Sequence, residues 1–302
     1  MINKNQLIYE KNKQLIELVR QEIKKKIKSE TLLIFLCLLF IDFAQNGRID
    51  AGYYSENHKQ SIFETQNYKH GFFTLDKAGL KLIPGPSLEI KLLGTRIDSA
   101  FPRNGFYRLV TPKQFSDFGT ICYYEYLGTP RKISPIQYGD ILFGESGTGR
   151  SLVYLEKHDH TINNAHAHIL RPIADKCSLE KAITIRAIIS YYKSIGVIDH
   201  LTVGGSGGHL SPSYFDRVFI PDFPKEKQME ISKLYHNPKA ILDTTQLSID
   251  NFIQLDDKFN SEAGITELDS TAKKIKNKLE EVIDKIVTGK TVEAKFDFLN
   301  DN

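Results

Sequence analysis

The stretch from Tyr138 to Gln228 constrains the fold more than any other part of this 302-residue chain. It begins with a short apolar segment, Asp140–Phe143, that runs directly into a loop of closely spaced glycines ending at Arg150. A second glycine-rich loop follows at residues 204–208. Glycine leaves backbone N–H groups accessible and allows conformations that other residues avoid. The pattern predicts a strand, a glycine loop, a polar strand, a helix and a second glycine loop. Neither loop has the spacing of a nucleotide-binding fingerprint.

The overall composition is that of an ordinary globular protein. Hydrophobic residues make up 41% of the sequence and charged residues 25%, which excludes extensive disorder and fibrous repeats. The formal net charge is only +3. Any surface that binds nucleic acid must therefore come from a local group of basic residues rather than from the total charge.

Cysteine use and hydropathy point to a cytoplasmic protein with no membrane partner. The three cysteines, Cys37, Cys122 and Cys177, show no CxxC spacing, so the sequence indicates neither a disulfide framework nor a zinc knuckle. The apolar run at residues 32–40 is much shorter than the roughly 20 residues that span a bilayer. We therefore expect a soluble chain in a reducing compartment.

Long helices are predicted near both ends of the chain. In residues 3–30 no glycine or proline interrupts the apolar residues at helical spacing, Ile8, Leu15, Val19 and Ile23. In residues 266–288 the apolar positions follow the a/d pattern of a coiled coil: Leu268, Ala272, Ile275, Leu279, Val282 and Ile286. The first helix is predominantly basic and the C-terminal region predominantly acidic. These features favour an antiparallel coiled coil, within one chain or between two.

Between these helices the pattern changes to short strands and irregular loops. Thr120–Leu127 is rich in residues that favour strands, and Ser178 is placed to cap a helix from Leu179 to about Ser194. We predict an α+β fold with one central domain that has a twisted, mostly antiparallel sheet and irregular loops. The predicted boundaries are 1–45 for the N-terminal helix, 46–238 for the central domain and 239–302 for the C-terminal coiled-coil region.

Several segments, taken in order, match the motifs of one protein family. The segment Gly139–Arg150 matches the pattern G-D-I-L-[FIV]-x-x-x-G-x-x-G-R with one residue fewer before the last Gly-Arg. The other segments are Arg48–Tyr54, Tyr107–Phe115, Asn163 or Asn164 followed by Arg171-Pro172, Gly205–Pro212 and Ile220–Ile231. Together they resemble the target recognition domain in the specificity subunits of type I restriction–modification systems. The resemblance covers about residues 48–235, and the end helices look like the coiled-coil spacers of that family.

The resemblance implies a non-catalytic protein that binds double-stranded DNA. Such a subunit directs a methyltransferase subunit to a target sequence, together with a restriction and translocase subunit where one is present. The resemblance implies no cofactor or metal. Family members carry two recognition domains, whereas this chain has one and so looks like a half-subunit. It would work as a homodimer, reading an interrupted palindrome, or with a different half-subunit. The chain departs from the family pattern in a shorter first glycine loop and in Phe223, where a proline is usual.

The candidate DNA-binding residues are polar and basic side chains in loops. Sequence readout needs donors and acceptors at base edges, and affinity needs cations near phosphates. An ion pair with a nearby carboxylate is the alternative role for Arg150, and a tight turn is the alternative role for the second glycine loop. The candidates are Ser146, Thr148, Arg150, Asn163, Asn164, His166, Ser206, His209, Arg96, Arg103, Arg131 and Lys132.

Two other functions remain open at the level of sequence. One is a metal-dependent nuclease, because imidazoles that lie close together can ligate Zn²⁺ or another transition metal. The residues concerned are His158, His160, His166 and His168. The same histidines are equally suited to reading guanine edges or to bonding with core carbonyls. The other function is that of a scaffold that keeps the helices but no longer binds DNA.

Overall fold

The computed structural model describes residues 4–23, 55–144, 150–202, 210, 212–242, 247–248, 250–292 and 299. The helices in these ranges are α1 (Lys4–Ile23), α2 (Glu56–Gln66), α3 (Ile90–Leu93), α4 (Leu179–Ser194), α5 (Val197–Leu201), α6 (Lys225–Tyr235), α7 (Phe252–Glu262) and α8 (Ile265–Val287). The strands are β1 (Phe72–Thr74), β2 (Leu80–Ile83), β3 (Ile97–Ser99), β4 (Tyr107–Leu109), β5 (Glu125–Gly128), β6 (Ile141–Gly144), β7 (Ser151–Val153), β8 (Thr161–Ile162), β9 (Ala167–Pro172) and β10 (Phe219–Pro221).

The chain divides into two compact units. The larger unit is Ile16–Gln228, and the smaller unit combines Met1–Leu15 with Met229–Asn302. The predicted boundary between residues 45 and 46 lies outside the described residues. No helix in the described part of the chain is long and apolar enough to cross a membrane.

Within the described ranges, the larger unit contains three sheets. The β6 sheet has the strand order β2-β9-β6-β7, the β5 sheet has the order β3-β5-β4-β8, and β1 pairs with β10. Every pairing is antiparallel except that of β4 with β8. The predicted α+β class and the mostly antiparallel pairing are confirmed. The expectation of one sheet was wrong, because the strands are short and divide among three.

Apolar residues of the two larger sheets form two buried clusters. In the β6 sheet, β6 is buried along its whole length, which explains its continuous apolar sequence. One cluster comprises Val110, Phe115, Ile136, Leu142, Leu152, Tyr154, Ala167 and Ile169. The other comprises Leu88, Leu93, Leu109, Leu127, Ile133 and Ile162. These clusters fix the strands whose ends carry the candidate loops.

Helix α4 packs beside the β6 sheet and begins where the sequence predicts. The hydroxyl of Ser178 accepts a hydrogen bond from the backbone N–H of Lys181 at 3.2 Å, which caps the helix. The helix ends at Ser194, and Gly196 takes a left-handed conformation with φ of 79°. The buried Arg186 donates from Nε to the carbonyl of Ser151 at 3.0 Å, which joins α4 to β7.

The smaller unit brings the beginning of α1 against α7. The Nζ atom of Lys4 lies 2.7 Å from Oδ1 of Asp256 and 2.8 Å from Oδ1 of Asn260, and Lys11 reaches the carbonyl of Ser261. Helix α7 is not predicted from the sequence. The long C-terminal helix is predicted at 266–288 and observed as Ile265–Val287. Residues 24–30 of the predicted N-terminal helix lie outside the described part of the chain.

Candidate nucleic-acid interface

Several candidate residues meet at one end of the β6 sheet. In the strand register Ile83 pairs with Ile169, and Gly144 pairs with Ala167. The end of β2, the end of β6 and the beginning of β9 therefore lie side by side. We call this edge, with the segments that follow or precede these strands, the loop end of the β6 sheet.

The turn of residues 163–166 leads into β9 at the loop end. The side-chain amide of Asn163 donates to the carbonyl of Ala167 at 2.5 Å, and the backbone N–H of His166 donates to Oδ1 of Asn164 at 3.2 Å. Gly85 packs so tightly on this turn that a Cβ there would lie 1.8 Å from the carbonyl oxygen of Asn164. The turn is thus held from inside by side-chain and backbone contacts.

The residues of this turn differ in what they offer to a ligand. Asn163 is only 1% exposed, so its amide holds the turn and is not accessible to a base edge. Asn164 is half-buried and His166 is exposed. Of the three predicted residues, Asn164 and His166 remain available as surface groups.

Arg150 closes the first glycine loop and lies at the same loop end. Its Nη2 atom is 3.0 Å from Oδ1 of Asp117, and its Nη1 donates to the carbonyl of Phe115 at 3.4 Å. The ion pair is the alternative role considered for this residue, yet 38% of the Arg150 side chain is still exposed. Ser146, Thr148, Ser206 and His209 lie outside the described residues.

A second group of candidates surrounds the short helix α3. Arg96 makes a bidentate contact with Asp98 and donates from Nη1 to the carbonyl of Leu88 at 3.0 Å. Arg131 donates from Nη1 to the carbonyl of Leu92 at 2.6 Å, and Lys132 is exposed. Arg131 thus bonds to a carbonyl in the last turn of α3 and Arg96 to the carbonyl of Leu88 just before the helix, and part of each side chain stays at the surface.

Arg103 lies in the loop of residues 100–106, which connects β3 to β4. Its guanidinium lies over the ring of Phe106, 5.8 Å from the centroid, and it forms no salt bridge with another described residue. The same loop carries Phe101, whose side chain is 76% exposed. Phe101 is not predicted as a site residue from the sequence, although the sequence shows an aromatic residue directly before a proline in a loop.

The histidines of the nuclease alternative do not converge. His158 and His160 precede β8, His166 lies in the turn at the loop end, and His168 is buried in β9. Within the described ranges, no group of three or more His, Cys, Asp or Glu side chains could hold a metal ion. The nuclease alternative therefore has no support from the described residues.

His158 instead belongs to a hydrogen-bonded chain. Its Nδ1 accepts from the backbone N–H of His160 at 3.2 Å and contacts the hydroxyl of Thr161 at 3.2 Å, which in turn accepts from Tyr154 at 2.8 Å. Burial and the nearby Arg108 guanidinium lower the pKa of His158. His160 stacks on the ring of Tyr107 with centroids 5.5 Å apart. These contacts account for both residues without a metal.

Two further motif residues meet at the opposite end of the β6 sheet. Arg171 donates from Nε to Oδ1 of Asp140 at 2.8 Å and from Nη2 to Oδ2 at 2.7 Å. Asp140 also accepts from the backbone N–H of Gln137 at 2.8 Å, and its side chain is only 1% exposed. The hydrogen bonds to Asp140 raise the pKa of Arg171. The Asp of the glycine-loop motif and the Arg of the Arg-Pro motif therefore stabilise the sheet rather than contact a ligand.

The predicted helix-interface residues fall into a buried and an exposed set. The buried set is Ile8, Leu15, Val19, Ile23 and Leu268. On α8 the burial declines along the helix: Ala272, Ile275 and Val282 are half-buried, whereas Leu279 and Ile286 are 56% and 62% exposed. The C-terminal half of α8 thus presents an apolar face, and the coiled coil itself stays a prediction.

The chain was compared with known proteins. No family model matches it, and no curated protein matches it. Among solved structures, it is similar to a chain from a study of complex assembly and conformational transition of the type I R-M system, with 16% identity and a TM-score of 0.40. That match covers 92% of this chain and 57% of the other. It is also similar to the HsdS subunit from Thermoanaerobacter tengcongensis, with 16% identity, a TM-score of 0.38 and coverage of 93% and 57%. This chain thus spans little more than half the length of these proteins, and similarity at this level does not establish a function.

Proposed function

We propose that this chain is a DNA-recognition subunit of a type I-like restriction–modification system. It binds double-stranded DNA and places a methyltransferase subunit, with a restriction and translocase subunit where one is present, on a target sequence. The chain itself catalyses no reaction and needs no cofactor or metal. It acts in the cytoplasm, where the DNA and the partner subunits are found.

The observation that carries this proposal is the grouping of polar side chains at the loop end of the β6 sheet. Arg150 ends the first glycine loop, Asn164 and His166 lie in the turn before β9, and the strand register sets these two segments beside each other. An arginine provides a cation for phosphate, while an amide and an imidazole provide donors and acceptors for base edges. Rigid strands with polar loops at one end suit a surface that reads a groove.

The basic residues beside the β5 sheet would extend contact along the phosphate backbone. Arg103, Arg131 and Lys132 are exposed, and Arg103 forms no salt bridge with another described residue. Contacts of this kind contribute affinity without sequence information, and they make binding dependent on salt. With a net charge of only +3, such local groups have to supply the electrostatic attraction.

The exposed face of α8 supports assembly into a pair of half-subunits. Leu279 and Ile286, which belong to the a/d seam, are 56% and 62% exposed, and Ile283 beside them is 48% exposed. A seam of this kind is normally covered by another helix. A second copy would cover it, as would a different half-subunit. A symmetric pair carries two recognition domains and would therefore read a target with two half-sites.

The test is the pattern of adenine methylation in DNA from cells that express this chain with a methyltransferase subunit from the same system. Methylation at one interrupted, symmetric motif would support a homodimer, and an asymmetric motif would indicate a second type of half-subunit. DNA binding by the purified chain, measured in the same study, separates the alternatives. If the chain neither binds DNA nor changes the methylation pattern, the proposal is wrong and the scaffold alternative gains support.

A further inference from the structure

The loop of residues 100–106 presents one aromatic side chain to solvent. Phe101 is 76% exposed, the highest value among the exposed aromatic residues in the described part of the chain. Single exposed apolar side chains are common on protein surfaces. What distinguishes Phe101 is that the backbone beneath it is fixed while most of its side chain is exposed.

Both backbone polar groups of Phe101 are held by one side chain. The hydroxyl of Ser99 accepts from the N–H of Phe101 at 3.1 Å and donates to its carbonyl at 2.8 Å. Ser99 is itself part of β3 and pairs with Tyr126 in the β5 sheet. Pro102 follows and restricts the backbone of Phe101 further. The backbone of this residue is therefore held in place before any ligand arrives.

The other half of the loop is anchored in the same way. The N–H of Phe106 donates to the carbonyl of Arg103 at 3.1 Å, and Gly105 takes a φ of 77°, which closes the turn. The ring of Phe106 packs on Gly128, where a Cβ would lie 2.5 Å from it. Arg103, two residues from Phe101, is exposed over this ring. The loop thus offers an apolar ring and a cation close together on a rigid support.

We propose that Phe101 is a wedge residue that inserts between base pairs, while Arg103 holds the adjacent phosphate. The inference rests on the proposed function and adds a mode of recognition to it. Apolar wedges partly unstack a base step and kink the duplex, and steps such as TA and CA/TG unstack most easily. Phe101 would therefore favour targets that contain a flexible step, at a position where no hydrogen bond reads the base.

The rigid presentation explains why an aromatic residue is suited to this role. A ring whose backbone is already fixed loses less conformational freedom on insertion than one on a free loop, and it gains contact with the faces of two bases. Arg103 on the same loop is attracted to the phosphates of DNA. This attraction would bring the ring of Phe101 close to the base pairs, which lie between the two phosphate backbones. An exposed ring alone would not distinguish DNA from a protein partner, but the exposed cation two residues away favours a polyanion.

The experiment uses the full-length protein and a mixed-sequence DNA duplex labelled at both ends. Binding and end-to-end distance are measured for the wild type, Phe101→Ala, Phe101→Leu and the control Tyr123→Ala, which removes another exposed ring. Loss of one stacking contact is expected to weaken binding by about 5- to 150-fold. Phe101→Ala should also abolish the bend, whereas Phe101→Leu should keep part of both effects because leucine also acts as a wedge.

A second readout depends on the absence of tryptophan from the chain. Phe101→Trp and Tyr123→Trp each introduce a single tryptophan, which can be excited apart from the tyrosines, and stacking on bases quenches indole fluorescence. We expect DNA to quench the tryptophan at position 101 and not the one at 123. If wild type binds and bends DNA, but Phe101→Ala does so equally and position 101 is not quenched, the wedge is excluded while the proposed function stands. If wild type does not bind DNA, the proposed function fails and the wedge with it.

Discussion

Arg171 holds the buried carboxylate of Asp140 through two hydrogen bonds of 2.8 and 2.7 Å at one end of the β6 sheet. Asp140 lies at the beginning of β6, and Arg171 lies near the end of β9. A paired geometry of this kind is available to a guanidinium and not to an ammonium group. Two of the motif residues, Asp140 and Arg171, thus hold the sheet in register.

The first prediction concerns the stability that this ion pair provides. Arg171→Met should lower the free energy of unfolding by about 3 kcal/mol, because it leaves a buried carboxylate without its cation. Removing both charges in Asp140→Asn with Arg171→Met should cost less than the sum of the single changes. Denaturant unfolding of the two single variants and the double variant measures the coupling. Additive effects would show that the pair does not act as a unit.

The second prediction separates the two roles of Arg150. Arg150→Ala should weaken DNA binding and reduce the dependence of log Kd on log salt by about one, as expected for the loss of one phosphate contact. Asp117→Ala breaks the same ion pair from the other side but keeps the cation. It should therefore bind DNA at least as tightly as the wild type. Equal losses in the two variants would mean that the ion pair is structural and that Arg150 does not contact DNA.

The third prediction concerns Gly85, which packs against the turn at residues 163–166. Gly85→Ala would place a Cβ 1.8 Å from the carbonyl of Asn164, so the turn must move. We expect a loss of roughly 1–3 kcal/mol of stability, as for other overpacked sites, together with weaker DNA binding. Gly144→Ala is the matched control, because its Cβ would meet Pro112 and the carbonyl of Arg150 only at 3.3 and 3.4 Å. Similar unfolding curves for the two variants would contradict the tight packing at Gly85.

Local sequence signals predicted some elements well and missed others for clear reasons. Helix α4 has a serine cap, a continuous run of apolar residues and a glycine after its end, so its bounds could be predicted. Helix α2 was missed because it buries polar residues such as His58 and Thr65, which give no amphipathic pattern. Helix α7 is also polar, and its buried Asp256 and Asn260 bond to each other and to the distant Lys4, which no local pattern predicts.

The candidate site depended on information that is not local. The sequence identified Arg150, Asn164 and His166 as loop residues. Asn164 and His166 share one turn, but their position beside Arg150 follows from the pairing of β6 with β7 and with β9. The sequence did not show that Asn163 is buried, because the hydrogen bond from its amide to the carbonyl of Ala167 depends on how the turn folds. The short strands have few residues in which to encode pairing, so their distribution among three sheets could not be read from alternation alone.

The fourth prediction concerns the response of the smaller unit to pH. Glu267 accepts hydrogen bonds from His236 at 2.5 Å and from the backbone N–H groups of Asn237 and Gly264 at 2.9 and 3.0 Å. Burial alone would raise the pKa of Glu267, but the bonds from His236 and Asn237 outweigh it and lower the pKa below the usual 4.5. The carboxylate form is therefore the one that the fold stabilises.

The sign of the pH effect follows from that direction. Because the folded-state pKa lies below the unfolded value of 4.5, the contribution of Glu267 is complete only above that value. It is lost as the pH falls through the folded-state pKa. Glu267→Gln should lower the free energy of unfolding by roughly 1–2 kcal/mol near neutral pH, and the difference from wild type should shrink in acid. Glu280→Gln, on the exposed part of the same helix, should have little effect at any pH. Unfolding curves for the three proteins between neutral and acidic pH provide the measurement, and a difference that stays constant with pH would contradict a stabilised carboxylate.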